Sequence, residues 1–334
     1  MDRAVTRLAT AIVAAALLAL AACAPAHTGK LELTGDLAAH DPAIVVDGDD
    51  WYVFATGSAR GDGNIQIRRS TDQGHTWTFV DTVWNEKPEW LVEAVPGVAN
   101  LWAPELIEHD GTWYLYYAAS TFGSNHSVIA LATNTTLDPA DADYEWVDQG
   151  PVLESEESDD AVPSDYNAID PGVIDVDGTP WMAFGSFWSG IRMVELEWPS
   201  GMVADPDTEP LRLADRGSPP NAIEAPYVVE HGGWFYLFVS KDSCCQGLNS
   251  TYSMWVGRSE SVTGPYVDRD GVPLLEDGGT LLLKTDGDEI GPGGQSVSNG
   301  WLAYHFYDGA NGGDPTLAIR SLTWDAEGWP VLGQ

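Results

Sequence analysis

Basic residues are scarce in this chain of 334 residues. Only 15 Lys and Arg stand against 51 Asp and Glu, which gives a formal net charge of −36. Binding to a polyphosphate backbone requires clustered basic side chains that displace counterions, so the composition argues against a nucleic-acid partner. An anionic bilayer surface would repel the chain for the same reason. A neutral or cationic partner is therefore favoured.

Cysteine is almost absent as well, with three residues in the chain. Cys23 lies near the amino terminus, while Cys244 and Cys245 are adjacent and cannot join distant loops. A framework of disulfides is thereby excluded. Hydrophobic residues make up 44% of the chain, close to the globular average, so a large core must provide the stability.

The first 22 residues predict a secretory leader and not a part of the fold. Arg3 and Arg7 precede an apolar run that extends from about Ala9 to Ala22 and is too short to span a bilayer. The closing Leu20-Ala-Ala-Cys23 resembles a bacterial lipobox, in which Cys23 would be lipidated. We expect an exported protein that touches the membrane only through this anchor; an ordinary signal peptide is the alternative.

Long stretches with helical periodicity are missing, and short apolar runs bounded by turn residues occur in their place. Several of these runs are followed by Asp-Gly or Gly-Gly, which supply the positive φ that tight hairpin turns need. The turns predicted in this way are Asp47-Gly48, Asp110-Gly111, Asp177-Gly178 and Gly232-Gly233. The sequence after the leader therefore predicts an all-β protein.

The hairpins belong to a longer repeat. Five prolines each precede a tryptophan by eight to ten residues, in the pairs Pro42 and Trp51, Pro104 and Trp113, Pro171 and Trp181, Pro226 and Trp234, and Pro292 and Trp301. A period of about 60 residues suits four strands with long loops, the size of a propeller blade. We predict a five-bladed β-propeller over residues 36–334, after a leader over 1–22 and a tether over 23–35.

Residues before each proline should lie around the central channel if the five repeats are related by rotation. These residues are Asp41, Trp102-Ala103, Asp170, Glu224-Ala225 and Gly291. Three blades would then bring a carboxylate to one place, where mutual repulsion raises at least one pKa. Carboxylates without an activated nucleophile suit glycoside hydrolysis, with one acid and one base, although a metal site would also explain such a trio. Nearby aromatic residues would stack on sugar faces, and Trp102, Phe187 and Trp188 are the candidates.

Seven ordered motifs resemble the endo-α-1,5-L-arabinanases of glycoside hydrolase family 43. They are His40-Asp-Pro42, Leu101-Trp-Ala-Pro104, Asn167-Ala-Ile-Asp170-Pro, Gly185-Ser-Phe-Trp-Ser-Gly190, Ala222-Ile-Glu224-Ala-Pro, the Cys244-Cys245 loop that ends in Ser250-Thr-Tyr252, and Tyr304-His-Phe-Tyr-Asp308. The resemblance covers about residues 36 to 334 and implies a five-bladed propeller, as the repeat does. It also implies an inverting enzyme that acts on arabinan or arabino-oligosaccharides.

The resemblance implies a role for each matching residue. Asp41 would be the general base, Glu224 the general acid, and Asp170 the residue that raises the pKa of the acid and orients it. The sugar-binding residues would be Trp102, Asn167, Ala168, Ile169, Ser186, Phe187, Trp188 and the loop Phe122-Gly123-Ser124-Asn125. His305 would lie beside one hydrated metal ion in the channel, with calcium as the expected cofactor. At Gly293-Gly294 the chain departs from the Gly-His of many relatives.

Other interpretations remain open at this point. Ser70-Thr-Asp72-Gln-Gly74-His-Thr76-Trp77 matches the Asp-box of sialidases, but it occurs once and is predicted to be a structural turn. An exo-acting arabinofuranosidase or β-xylosidase of the same family differs only in whether loops block the groove. A sugar-binding propeller without catalysis would not need three carboxylates. We expect the protein to be a monomer.

Overall fold

The computed structural model describes residues 29–156 and 165–334, which form five antiparallel sheets arranged as a five-bladed β-propeller. The all-β fold and the number of blades predicted from the repeat are thus confirmed. The predicted leader over 1–22 and the lipidation site Cys23 lie outside the described residues. Within those residues, no helix has the length and apolar character needed to span a bilayer.

In each blade the strands run in chain order from the innermost to the outermost. Blade 1 has one additional outer strand, β1 (Thr34–Gly35), which comes from the amino-terminal segment. Blade 1 comprises β1 (Thr34–Gly35), β2 (Ala43–Asp47), β3 (Asp50–Ala55), β4 (Gln66–Ser70) and β5 (Thr76–Thr82). Blade 2 comprises β6 (Leu101–His109), β7 (Thr112–Ala119), β8 (Ser127–Asn134) and β9 (Val147–Ser155). In blade 3, β10 (Gly172–Val176), β11 (Thr179–Phe184) and β12 (Ile191–Glu197) are followed by β13 (Met202–Val203) and β14 (Leu211–Ala214), which both pair with β12.

Blades 4 and 5 each have four strands. Blade 4 comprises β15 (Ile223–His231), β16 (Trp234–Lys241), β17 (Ser253–Ser259) and β18 (Thr280–Leu283). Blade 5 comprises β19 (Glu289–Ser298), β20 (Trp301–Asp308), β21 (Asp314–Trp324) and β22 (Pro330–Leu332). The described residues include one α-helix, α1 (Glu89–Ala94), and three short 3₁₀ helices, at Gly247–Asn249, Leu274–Glu276 and Gly309–Asn311.

The predicted turns join the first two strands of blades 1 to 4. Asp47↔Asp50, His109↔Thr112, Val176↔Thr179 and His231↔Trp234 are the pairs that close these hairpins. Gly48, Gly111 and Gly178 adopt φ of 59°, 78° and 84°, the left-handed conformation that glycine tolerates without a Cβ clash. The hairpin prediction is therefore correct in position and in cause.

The core is divided into five apolar clusters, one between each pair of neighbouring blades. Side chains alternate between the two faces of a strand. In β7, Leu115 and Tyr117 therefore pack toward blade 1, while Tyr114 and Tyr116 pack toward blade 3. Because each blade is covered on both faces, its central strands are apolar throughout and not alternating. This explains why the sequence shows short continuous hydrophobic runs.

The ring closes between blades 5 and 1, and the amino-terminal segment strengthens the closure. Leu31 N–H donates to the Ile319 carbonyl at 2.9 Å, and β1 pairs in parallel with β5. Leu31 and Leu33 pack against the cluster between the two blades. Residues 29–35 are thus part of the propeller, and the predicted boundary at residue 36 lies too far along the chain.

In blade 5 the residues that line the channel are not the ones predicted from the position of Pro292. Asp41, Ala103, Asp170 and Ala225 adopt φ of 50°, 42°, 58° and 50°, each directly before the repeat proline of its blade. In blade 5 both Gly291 and Gly294 adopt a left-handed φ, of 56° and 61°, but it is Gly294 with Gln295, and not Gly291, that lines the channel beside the residues of the other four blades. Two register shifts in β19, between Ile290 and Gly293 and between Gly293 and Ser296, displace the match with Pro292.

The Asp-box is a hairpin turn between β4 and β5. Asp72 Oδ1 accepts from Thr76 N–H at 2.7 Å, and the buried Trp77 donates its indole N–H to the Gly74 carbonyl at 2.8 Å. These bonds satisfy the turn internally and leave no open site. The structural role predicted for this motif is confirmed.

Candidate active site

The loops that join the second and third strands of the blades, with the segments leading into the innermost strands, enclose a cavity of about 460 Å³. Asp41, Asp170 and Glu224 all line it, so the structure brings the three predicted carboxylates together. The remaining walls are formed by His40, Thr56, Trp102, Thr121–Ser124, Asn167, Ile169, Ser186–Trp188, Ser243–Gln246 and Tyr252.

Asp41 is held as an ionised carboxylate. Its Oδ2 accepts from the Thr56 hydroxyl at 2.7 Å and lies 2.7 Å from Nδ1 of His40. Burial alone would raise the pKa of Asp41, but the two nearby imidazoles and the hydroxyl outweigh it and hold the pKa well below its usual range. The Asp41 carboxylate in turn overcomes the effect of burial on His40 and raises the pKa of that imidazole. A carboxylate that stays ionised suits a general base.

The pKa of Glu224 is shifted in the opposite direction, which favours the protonated form. Burial raises its pKa and outweighs two hydrogen bonds, from the Ser186 hydroxyl at 2.6 Å and from the Tyr252 hydroxyl at 2.6 Å. The Asp41 carboxylate contributes in the same direction. A carboxyl group that keeps its proton suits a general acid.

Asp170 lies next to the acid and is tied to its backbone. Asp170 Oδ2 accepts from the N–H of Ala225, the residue after Glu224, at 3.0 Å. Burial, followed by repulsion from the Glu224 and Asp41 carboxylates, raises the pKa of Asp170 well above its usual range. Through the Ala225 N–H, Asp170 fixes the backbone that carries Glu224. This arrangement fits the orienting part of the role predicted for Asp170.

Aromatic side chains form the wall on the side of blades 2 and 3. Phe122 is 80% exposed and packs at a tilt against Trp102, with ring centroids 5.2 Å and planes 51° apart. Phe187 and Trp188 adopt φ of 54° and 30°, unusual for bulky residues. Backbone strain of this kind is retained where the surrounding structure demands it. Here the Asn221 amide donates to the Trp188 carbonyl at 2.8 Å.

Two of the predicted sugar-binding positions require correction. Ala168 is fully buried in the core between blades 2 and 3 and does not line the cavity. Its neighbours Asn167 and Ile169 do line it, because consecutive side chains in an extended segment point in opposite directions. Asn125 also turns away from the cavity and donates its amide to the Tyr166 carbonyl at 3.0 Å. Gly123, Ser186, Phe187, Trp188 and Trp102 are where the resemblance placed them.

Other site residues were not predicted. Thr56 bonds both Asp41 and the Ala103 N–H, the latter at 2.9 Å, yet it stands in no distinctive pattern. Tyr252 and His40 do stand in the motifs that carried the resemblance, but the motifs alone did not assign them roles. The adjacent pair Cys244 and Cys245 forms a disulfide and lines the cavity.

His305 is fully buried beneath Asp41 and stacks on His40, with ring centroids 3.7 Å apart. Its Nδ1 accepts from the Asp41 N–H at 3.1 Å, which assigns the ring proton to Nε2. Burial lowers the pKa of His305 to about 3, so the ring is neutral. Within the described residues Nε2 has no hydrogen-bond partner. A buried N–H donor of this kind fits a water molecule of a hydrated ion better than it fits the ion itself.

The sequence and the fold were compared with known proteins. The model of the Glycosyl hydrolases family 43 matches residues 34–330. An extracellular endo-α-(1→5)-L-arabinanase of Bacillus subtilis is 39% identical over 319 residues, which cover 95% of this chain and 94% of that protein. An extracellular exo-α-(1→5)-L-arabinofuranosidase of Cellvibrio japonicus is also 39% identical, over 88% of this chain and 86% of its own.

Solved structures agree with these matches. A family 43 endo-arabinanase from Bacillus licheniformis superposes with a TM-score of 0.82 at 38% identity, covering 90% of this chain and 99% of that one. An exo-1,5-α-L-arabinanase from a bovine ruminal metagenomic library gives a TM-score of 0.81 at 40% identity, covering 90% and 100%. Similarity at this level extends over the whole propeller and includes both modes of cleavage.

Proposed function

The chain belongs to glycosyl hydrolase family 43, and we propose that it hydrolyses internal α-1,5-L-arabinofuranosidic bonds of arabinan with inversion of configuration. The observation that carries the proposal is that the pKa values of three carboxyl groups in one cavity are shifted in opposite directions. Asp41 is held ionised, while Glu224 and Asp170 favour the protonated form. Hydrolysis of a glycosidic bond with inversion needs such a base and such an acid together.

In this mechanism Asp41 takes a proton from the water that attacks the anomeric carbon. Thr56 and His40 keep its Oδ2 hydrogen-bonded and oriented. Glu224 donates its proton to the glycosidic oxygen, so that the sugar leaves as an alcohol and not as an alkoxide. Burial and the Asp41 carboxylate favour the protonated form of Glu224 before this step, and Asp170 orients its backbone through the Ala225 N–H. The exposed Phe122 and its neighbour Trp102 support the sugar chain by stacking.

A matched set of variants tests these roles. Glu224→Gln and Asp41→Asn should each lower kcat on linear arabinan by a factor of about 10²–10⁴ while the fold is retained, because the amide keeps the shape but carries no transferable proton or negative charge. Glu105→Gln is the control, since Glu105 is also a buried carboxyl with a raised pKa but does not line the groove. Near-normal hydrolysis by folded Glu224→Gln would remove Glu224 from the role of acid.

The mode of cleavage is tested by product analysis. Early products of linear arabinan should be a mixture of oligosaccharides if cleavage is internal. Release of a single sugar from the first minutes onward would instead support the exo-acting alternative, which similar relatives also represent. We also expect the protein to act as a monomer.

A hydrated cation, calcium in our proposal, belongs beside His305. The Nε2–H of His305 would bond a water molecule of the ion, which fits the preference of calcium for oxygen ligands. A cation there would favour the ionised form of nearby carboxylates. Calorimetric titration of chelator-treated protein with Ca²⁺ should show one site in the wild type and none in His305→Ala; equal binding to both would contradict the proposal.

Export to the cell surface is proposed from the leader and from the extracellular relatives. Lipid attached to Cys23 would provide the anchor. Cell fractionation of Cys23→Ser beside the wild type tests this directly. The variant should move to the medium, and identical partitioning of both forms would exclude the anchor.

A further inference from the structure

The disulfide between Cys244 and Cys245 lies in the groove and joins no distant parts of the chain. It forms part of the loop between β16 and β17 in blade 4, and residues Ser243–Gln246 of this loop line the cavity. Blade 4 is separated by blade 3 from the wall formed by Trp102 and Phe122 in blade 2. The disulfide therefore lies on a different wall of the groove from the Trp102–Phe122 pair.

Several hydrogen bonds hold this loop in a defined position. The Thr251 N–H donates to the Ser243 carbonyl at 2.9 Å, and the Gln246 N–H donates to the Ser250 hydroxyl at 3.0 Å. The Cys245 N–H donates to the hydroxyl of Tyr307 at 2.6 Å. Cys245 adopts φ of 64°, a conformation that residues with a side chain rarely take. The ring of the adjacent-cysteine disulfide and these bonds together maintain that backbone.

The chemistry of this wall suits a sugar. The eight-membered ring offers two sulfur atoms and two methylene groups, which form a compact apolar surface without a rotatable side chain. An arabinofuranose ring presents C–H groups on one face, and such groups pack favourably against apolar surfaces. The Sγ of Cys245 lies 3.8 Å from Nε2 of His40, so this surface adjoins the residue that orients Asp41. A sugar whose anomeric carbon faces the water activated by Asp41 would therefore come close to this surface.

We propose that the Cys244–Cys245 disulfide is a sugar-contacting element of the groove, and that its reduction weakens the binding of substrate. The proposal rests on the proposed arabinanase function and adds a specificity element to the same site. Reduction by dithiothreitol breaks the S–S bond and transfers two electrons and two protons to the sulfur atoms. The reductant becomes a cyclic disulfide, and two thiols remain in the loop.

The test compares kinetics before and after reduction of the full chain. Titration with a thiol reagent should first establish that two new thiols have formed. On linear arabinan and on arabinohexaose we expect KM to rise about tenfold, which corresponds to about 1.4 kcal/mol of binding, while kcat stays within about twofold. Cys244→Ala/Cys245→Ala should show the raised KM without any reductant and should not respond to it. Thermal unfolding of each form controls for loss of the fold.

Three outcomes would overturn the proposal. An unchanged KM after two thiols have appeared would show that the disulfide does not contact the sugar. A fall in kcat at constant KM would assign the loop an effect on Tyr307 and His40 and not on binding. An equal response to reductant in the double variant would place the effect elsewhere. If the oxidised wild type does not cleave arabinan at all, the proposed function itself fails, and this inference fails with it.

Discussion

Replacing Tyr252 with phenylalanine should move the alkaline limb of the pH–rate profile upward by about one pH unit. The Tyr252 hydroxyl donates to Oε1 of Glu224 at 2.6 Å and is buried with it. This bond favours the ionised carboxylate, so its loss raises the pKa of Glu224 further. A general acid must be protonated to act, and activity is lost as pH rises through its pKa. A higher pKa therefore extends activity toward alkaline pH.

The magnitude follows from the difference between two hydrogen bonds. A hydrogen bond to a charged acceptor contributes about 1.5–3 kcal/mol and one to a neutral acceptor about 0.5–1.5 kcal/mol. The ionised form of Glu224 therefore loses about 1–1.5 kcal/mol more than the protonated form, and about 1.4 kcal/mol equals one pKa unit.

The assay is kcat/KM on linear arabinan across the pH range, which reports groups of the free enzyme. Tyr266→Phe is the matched control, because its buried hydroxyl donates to the Val262 carbonyl at 2.7 Å, away from the groove. That variant should be destabilised to a similar extent while its profile keeps the wild-type shape. An alkaline limb that stays in place or moves downward in Tyr252→Phe would refute the assignment of Glu224 as the acid.

Three further predictions concern other parts of the site. Asp170→Asn should be nearly inactive yet about 1 kcal/mol more stable at neutral pH, measured by denaturant unfolding. A carboxyl with a raised pKa in the folded state opposes folding above its ordinary pKa, so the gain should grow as pH rises from acid to neutral and should vanish at low pH. Gly294→Ala should lower kcat on the order of a hundredfold, because a Cβ there would lie 2.5 Å from Oδ1 of Asp41; Gly111→Ala, at a remote turn with φ of 78° and open space, is the control. Phe122→Ala should raise KM on arabinan about threefold to tenfold at constant stability, since the ring is 80% exposed, and an unchanged KM would exclude stacking.

The repeat in the sequence was sufficient to predict the architecture. A proline, a turn glycine and a tryptophan recur at similar spacing in the first hairpin of most blades, so the start of a blade can be recognised from the sequence. The same logic located Asp41, Asp170 and Glu224, because each stands one or two residues before the proline near the start of an innermost strand. Where local signals changed, the prediction failed: Gln295 occupies the proline position of blade 5, and two register shifts in β19 moved the true equivalent to Gly294.

Contacts between residues that are distant along the chain are decided only by the tertiary structure. Thr56, in the loop after β3, reaches Asp41 in its own blade and Ala103 in the next, and Tyr252 reaches Glu224 across 28 residues of the chain. Neither the composition nor the spacing of residues in the sequence indicates which of these side chains form hydrogen bonds with each other. The direction of a side chain in an extended segment is also a tertiary matter, which is why Ala168 lies in the core while its neighbours face the groove. The residue types of the acid and the base were therefore present in the sequence, but their protonation states follow from burial and from the neighbours that folding assembles around them.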